Sequence, residues 1–415
     1  MCFRMLLLFV MPLLMAPSFA LSIPVQQEVE PMVTLAEGNT AFAFDLYQQV
    51  RAEDGNFFYS PYSISQAVAL VYAGAQGATA QQIADTMHFT LPLDQLGSSF
   101  GDVNAALQSY ADSLPTEYQD AAFQLTIANS LWGQRGYPFA DAYLNILSDS
   151  FSSELRSVDY QSAADAARQE INAWVAENTN NKIPSVIPEG VLSEQTRLVL
   201  ANAIYFNARW RNEFPAFSTQ DADFTTLAGD SVQVPMMGQE GNFSFVDADG
   251  YDAISLPYMS PQVSMILILP EDFSAFEESL DAATFTEIAA SLEPGRAIVQ
   301  IPRFEINADL QLGTILQQMG MQDAFDGSAA DFSGMVRNGE FPDGNLALDA
   351  ALHRAVIKVD EEGTEAAAVT IMMMGATSAP PPATFTFRAD KPFIFAIYDN
   401  ETGTVLFLGR LVDPS

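Results

Sequence analysis

Apolar positions recur at helical spacing through the first third of the chain and at strand spacing through most of the rest. From Leu35 to Val50 they include Ala41, Phe44, Leu46 and Val50, which predicts a helix. Ser63 to Ala75 reads as a second, Ala- and Val-rich helix. Thr79 with Gln82 three residues on is a capping-box pattern and predicts the start of a short third helix. Asp102 to Leu114 and Ala163 to Asn178 read as further amphipathic helices. From Arg197 onward strands dominate: Arg197 to Phe206, Tyr251 to Tyr258, Val263 to Leu269, Ala297 to Ile306, Phe385 to Arg388, Phe393 to Tyr398 and Val405 to Arg410. Helices interrupt them at Phe273 to Ser279, Ala283 to Leu292 and Leu310 to Met319. No internal repeat or low-complexity linker divides the chain. Helices first and strands later predict one α+β domain with large, mostly antiparallel or mixed sheets.

One stretch obeys neither pattern. Ala355 to Val359 alternates as a strand and runs into Glu361, Glu362 and then Gly363. After the glycine come Thr364, Glu365, Ala366, Ala367, Ala368, Val369 and Thr370, all small or β-branched except for the one charge. A solvated loop would be richer in Pro, Asn, Asp and Ser, and a packed strand would carry larger side chains. The segment suits both solvent and a sheet, the composition required of a loop that later slides between strands.

Composition narrows the function. Of 415 residues 49% are hydrophobic, so a large core is within reach. The net charge is −35, and Lys182, Lys358 and Lys391 are the only lysines, which argues against nucleic acid or an anionic membrane as partner. Residues 1–20 have the form of a secretory signal peptide: Arg4, an apolar run from Met5 to Met15, and Ser18-Phe19-Ala20 as a small-x-small cleavage site. The expected mature chain starts at Leu21 and is secreted, to the periplasm or the medium. Cys2 is the only cysteine and lies inside this peptide, so disulfides and thiol catalysis are excluded from the mature chain.

Several motifs then occur in one order along the chain. They are Asn56-Phe57-Phe58-Tyr59-Ser60-Pro61-Tyr62-Ser63-Ile64-Ser65, Ile171-Asn172-Ala173-Trp174-Val175 with Lys182-Ile183, and Leu198 to Phe206 with Trp210. Ile301-Pro302-Arg303-Phe304-Glu305-Ile306, the segment from Val356 to Thr370, Asp390-Lys391-Pro392-Phe393 and Phe407-Leu408-Gly409-Arg410 follow. Together they resemble the serpins, inhibitors that trap proteases by inserting a reactive loop into a β-sheet. The resemblance implies a single-domain fold with about three β-sheets, eight to nine helices and an exposed reactive-centre loop. It divides the chain into a signal peptide (1–20), an N-terminal extension (21–35) and a serpin domain (36–415), with the loop at about 361–383.

The resemblance also implies roles. Residues matching Ser60, Ser63, Asn202 and His353 form a hydrogen-bonded cluster under the main sheet that re-pairs when strands separate. Trp210, Arg303 and Glu361 match the loop entrance, the last two as an ion pair, and the hinge comprises Glu361, Gly363, Thr364, Glu365, Ala366, Ala367 and Ala368. Counting from Glu361 places the reactive bond at Thr377-Ser378, with Ala376-Thr377 second and Met374-Gly375 third. Read alone, each feature has a plainer meaning: Ser60-Pro61 is an ordinary helix start, His353 an ordinary core histidine, Trp210 plain core, and Arg303 and Glu361 two surface charges.

No catalytic motif is present: no G-x-S-x-G elbow, no H-E-x-x-H and no phosphate-binding glycine loop. With two histidines and no mature cysteine, neither a metal nor another cofactor is expected. The expected partner is a serine endopeptidase held as a covalent acyl complex by a monomeric inhibitor. No Arg or Lys lies between Lys358 and Arg388, and a small residue precedes the reactive bond, which suits an elastase- or subtilisin-like enzyme. A cross-class inhibitor of cysteine proteases and a non-inhibitory carrier, chaperone or storage serpin stay open. The small hinge residues favour inhibition. No Lys or Arg occurs between Arg51 and Arg135, so a heparin-type polyanion is not an expected partner.

Overall fold

The order of helices and strands among the described residues follows the hydropathy pattern, although the helix expected from Asp102 begins at Leu93. The structure, a computed structural model, describes residues 31–112, 114, 123–339, 341–342, 345–364 and 385–415. Helices α1 (Pro31–Val50), α2 (Pro61–Tyr72), α3 (Gly77–Met87) and α4 (Leu93–Asp112) come first, with the short strand β1 (Phe57–Tyr59) before α2. α1 buries Leu35, Asn39, Phe42, Leu46 and Val50, a stripe at intervals of three and four residues. α2 opens as its sequence predicts: the Ser60 hydroxyl accepts the Ser63 N–H, and Pro61 stands where a missing N–H costs nothing.

The capping box expected at Thr79 does not form. α3 starts at Gly77, and its N-cap, Gln76, makes no side-chain cap bond. Thr79 is buried, and its hydroxyl instead accepts the Asp331 N–H, while Gln82 accepts the Asp323 N–H. These bonds to distant backbone donors replace the local cap.

The remaining elements are β2 (Phe123–Gln134), α5 (Asp141–Phe151), β3 (Leu155–Val158), α6 (Tyr160–Asn178), β4 (Leu198–Arg209), β5 (Gln220–Thr225), β6 (Ser231–Ala248), β7 (Tyr251–Pro257) and β8 (Val263–Pro270). They continue with α7 (Phe273–Ser279), α8 (Ala282–Ser291), β9 (Glu293–Pro302), β10 (Phe304–Leu310) and α9 (Leu312–Gln318). The chain closes with β11 (Ala350–Val359), β12 (Gly363–Thr364), β13 (Phe385–Arg388), β14 (Phe393–Asp399) and β15 (Thr404–Leu411). The strand predicted over Ala297 to Ile306 is two strands in two sheets. Pro302 cannot donate to a continuing ladder, and the Arg303 N–H turns aside to the Pro235 carbonyl at 2.9 Å.

Among the described residues the strands form two hydrogen-bonded sheets. The larger, nine-stranded one has two wings joined through the long β6: β1-β15-β14-β8-β7 on one side and β5, β9 and β13 on the other. With the second sheet these wings correspond to the three sheets anticipated. The second sheet has six strands in the order β10-β11-β12-β4-β2-β3. Its central strand β4 is buried on both faces. Leu198, Leu200, Ile204 and Phe206 join the main core, whereas Val199, Ala201 and Ala203 pack with Ile171, Val175 and Ile183 beneath α6 and the turn that follows it. Alternate residues therefore feed two separate cores, and Asn202 falls in the row that faces the main one.

Candidate functional site at the top of the six-stranded sheet

β4 and β11 run parallel and pair from Ala350↔Val199 to Val356↔Tyr205. Beyond Tyr205 they part, and β12 fills the gap. Thr364 pairs with Val359 on one side and Ala208 on the other, and Gly363 pairs with Arg209. Asp360 to Glu362 makes the turn: the Asp360 N–H donates to the Gly363 carbonyl at 2.9 Å, and the Asp360 carboxylate accepts the Glu362 N–H at 3.0 Å. A side chain at position 363 would place its Cβ 2.2 Å from the Ala208 carbonyl oxygen, so glycine is required there by contact with the neighbouring strand.

Aromatic side chains floor this turn. Thr364 is fully buried, and its hydroxyl shares a hydrogen bond with Tyr258 Oη at 2.8 Å. Tyr258 stacks on Trp210 with centroids 4.7 Å apart and planes 7° from parallel. Trp210 donates twice into the turn, from its indole N–H to the Asp360 carbonyl and from its backbone N–H to the Glu362 carbonyl, both at 2.9 Å. The tryptophan is thus core packing and a clamp on the turn at once.

Glu361 projects from the same turn, almost wholly buried, and accepts from the Arg303 guanidinium and the Thr219 hydroxyl. Burial alone would raise its carboxyl; the hydrogen bonds from Arg303 and Thr219 outweigh that and hold it below the usual carboxylate range. Arg303 is 46% exposed, so the pair contributes only ~1 kcal/mol. Its geometric effect is larger: it ties the turn to the end of β9.

Lower down, register aligns three polar side chains. Asn129 of β2 and His353 of β11 both stand opposite Asn202 of β4. They meet the start of α2. His353 Nε2 accepts the Ser60 N–H at 3.2 Å, so its proton is on Nδ1 and is donated to Asn202 Oδ1. The Asn202 amide donates to the Ser63 hydroxyl at 2.6 Å and to the Ser63 carbonyl at 2.9 Å, and also reaches Asn129. Ser60 Oγ donates to the Leu406 carbonyl at 2.6 Å. Burial pushes the His353 imidazole down to about 3, so it is neutral at ordinary pH. The network joins β2, β4, β11 and α2, and separating β4 from β11 breaks the His353–Asn202 bond. A buried network is stable only when fully paired, so it resists partial opening.

The structure thus brings Ser60, Ser63, Asn202 and His353 into one cluster, and Trp210, Arg303, Glu361, Gly363 and Thr364 into another at the strand opening. Glu365, Ala366, Ala367 and Ala368 of the hinge lie outside the described residues. So do Met374, Gly375, Ala376, Thr377 and Ser378 of the reactive-bond candidates, and the segment 1–20. Asn129, Tyr258, Thr219 and Asp360 also belong to the site, and the motifs in the sequence do not single them out. Asn129 did carry a signal: Leu125, Ile127, Asn129 and Leu131 share one strand parity, and only one of them is polar. Among the described residues no cluster of His, Cys, Asp and Glu could hold a metal ion, and no helix is long and apolar enough to cross a membrane.

A family profile described as serpin (serine protease inhibitor) matches residues 37–414. An uncharacterised serpin-like protein of Thermococcus kodakarensis is 38% identical over 379 residues, covering 90% of this chain and 84% of that protein. Leukocyte elastase inhibitor A of Rattus norvegicus is 35% identical over 400 residues, covering 92% of this chain and all of the relative. Among solved structures, uncleaved ovalbumin superposes with a TM-score of 0.80 at 28% identity, covering 92% of this chain and 100% of its own.

Proposed function

The chain belongs to the serpin family, and on that premise we propose that it is an irreversible inhibitor of serine endopeptidases that traps its target by inserting its own cleaved loop between β4 and β11. One observation carries this reading: the two strands part where the hinge begins, and Gly363–Thr364 already stands between them. Thr364 faces Tyr258 in the buried layer. Strand alternation then assigns Ala366, Ala368 and Thr370 to the same face, none of them larger than threonine.

In this reading the protease's serine attacks the carbonyl carbon of Thr377. The bond to Ser378 breaks, its nitrogen leaves with a proton, and Thr377 remains as an ester on the enzyme. The freed hinge continues down the opening. Each new ladder hydrogen bond contributes about 0.5–1.5 kcal/mol net, and burial of alanine, valine and isoleucine side chains adds to this. The His353–Asn202 bond opens as the strand passes, and its cost is met once. Carried to the far pole and pulled on its ester, the protease loses the preorganised oxyanion hole on which deacylation depends.

Two features support an elastase- or subtilisin-like target. The residues before the candidate bonds, Thr377 and Ala376, are small, and a relative is named as an elastase inhibitor. The inhibitor acts as a secreted monomer after cleavage near Ala20. The test is incubation with elastase-, subtilisin-, chymotrypsin-, trypsin- and papain-like enzymes, followed by denaturing gels and mass analysis of the released peptide. A covalent adduct with the first two and a peptide beginning at Ser378 are expected. A lasting adduct with the papain-like enzyme alone would establish the cross-class alternative. Cleavage by every enzyme without any adduct would overturn inhibition.

A further inference from the structure

Phe217 stands out from the rest of the described surface. It is 87% exposed, whereas the other exposed large hydrophobic residues lie between 37% and 45%. A lone surface aliphatic needs no explanation, but a phenylalanine left almost wholly in water realises none of its large apolar burial. The ring is also presented rigidly. Ala216–Ser218 is a single 3-10 turn entered through Pro215 and closed by the Ser218 N–H on the Pro215 carbonyl at 2.8 Å. Both ends of the turn are bonded to one residue of the hinge. The Phe214 N–H donates to the Glu361 carbonyl at 2.9 Å, and the Thr219 hydroxyl donates to the Glu361 carboxylate. Phe214 itself is buried edge-on against Trp210, with centroids 6.3 Å apart. A ring on so fixed a base loses little freedom when a partner covers it, the property of an interface anchor.

The surroundings indicate what could cover it. A groove beside the ring is lined by Pro215, Pro235, Phe304 and Val359. Its charges are Arg303 and Lys358 against Glu213, Glu305, Asp360, Glu361 and Glu362, so it is negative on balance. A second copy of this chain, at −35, would be repelled. A small molecule in the groove would leave the outer face of a protruding ring in water. A protein surface with an apolar hollow and a neutral or basic rim would cover both.

Position selects the protein. The turn touches the hinge through Glu361 on one side and β6 on the other, where a Cβ at Gly238 would lie 3.7 Å from the Ser218 carbonyl oxygen. Gly238 stands opposite Gln300 of β9, and Gln300 opposite Arg388 of β13. β13 is therefore two strands, or about 10 Å, from the turn. The reactive loop leaves the sheet after Thr364 and returns at Phe385 of β13, so Phe217 lies between its two anchors. A globular enzyme of about 200 residues has a radius of gyration of about 16 Å. One that holds the loop is large enough to reach this turn. We propose that Phe217 is a docking anchor for the target protease, filling an apolar hollow beside its substrate cleft before the loop is cut. The identity of the partner rests on the inhibitory reading.

The test measures binding of the full chain, by titration calorimetry, to an elastase-like and a subtilisin-like enzyme whose nucleophilic serine is replaced by alanine. Adduct formation is timed with the active forms. Phe217→Ser should weaken binding to at least one enzyme about tenfold and slow its adduct formation as much, at unchanged stoichiometry. Phe217→Leu should recover most of both. Equal affinity and rate for Phe217→Ser and the unsubstituted chain, or no binding to either enzyme, would overturn the dock. A melting temperature of free Phe217→Ser lowered by several degrees would also overturn it, because the chain's own surface would then cover the ring. So would a dimer in sedimentation that the substitution dissolves. Tenfold weaker binding by Phe217→Ser, with no adduct from either chain, would sustain the dock and count against the inhibitory reading alone.

Discussion

Replacing Thr364 by arginine attacks the hinge where it first enters the sheet. Thr364 has no solvent exposure, lies between Val359 and Ala208, and hydrogen-bonds Tyr258 at 2.8 Å. Thr364→Arg would bury an unpaired guanidinium, at a cost of several kcal/mol. The native chain escapes by leaving β12 out of the sheet, which forfeits only a few ladder bonds of about 0.5–1.5 kcal/mol each. If the cleaved loop inserts as proposed, no such escape exists after cleavage, because insertion would start with this residue. A barrier raised by ~3 kcal/mol slows insertion roughly 10²-fold, and deacylation then overtakes it. The assay is titration of an active-site-calibrated elastase-like protease, with gels to count cleaved inhibitor against adduct. The moles of inhibitor consumed per mole of protease should rise steeply, and cleaved chain should replace adduct. Thr364→Val, which keeps the shape and removes only the bond to Tyr258, should cost about 1–2 kcal/mol in stability and leave the stoichiometry near its original value. Full inhibition by Thr364→Arg at unchanged stoichiometry would refute the insertion argument.

Three further outcomes follow from the same geometry. His353 is held below its ordinary value, so the unfolded chain binds its proton more readily; the resulting stability is complete above about pH 6.5 and is lost as pH falls toward about 3. In chemical denaturation at pH 7 and pH 4, His353→Gln should shrink the loss between them by roughly 3 kcal/mol, and an unchanged loss would contradict the buried neutral imidazole. The Glu361 carboxyl is held low, so the stability it contributes is present above its ordinary value and lost in acid; Arg303→Ala should weaken that dependence and cost only ~1 kcal/mol at neutral pH, measured by urea titration. Sulfated polysaccharide should not accelerate inhibition at low ionic strength, because α4 carries Asp94, Asp102 and Asp112 and no basic residue; a salt-sensitive, several-fold acceleration would contradict this.

Helices and strands with one buried face were legible in the sequence because their period is simple. α1, α6, β8 and β14 match the hydropathy pattern to within a few residues at each end. β2 and the long β6 were not, since Gln, Asn, Gly and Ser interrupt their alternation wherever one face meets solvent or a polar cluster. The start of α3 was misplaced because the bonds that fix Thr79 and Gln82 span more than 200 residues, and no local window contains them. Within the site, Ser60, Ser63, Asn202, His353, Trp210, Arg303 and Glu361 were identified by family resemblance. Their contacts depend on register between strands distant in sequence. Tyr258 and Thr219 approach the hinge from other parts of the fold and leave no local mark.

The central claim is that the stretch after Thr364 belongs, energetically, between β4 and β11. The most direct measurement is the thermal unfolding of the chain before and after a single cut between Glu365 and Pro382, made by an enzyme that forms no adduct. If the freed segment adds a strand with on the order of ten ladder hydrogen bonds, the cut chain should unfold at a markedly higher temperature, although a peptide bond has been lost. Equal or lower stability of the cut chain would mean that the hinge stops at Thr364, and loop insertion would have to be abandoned.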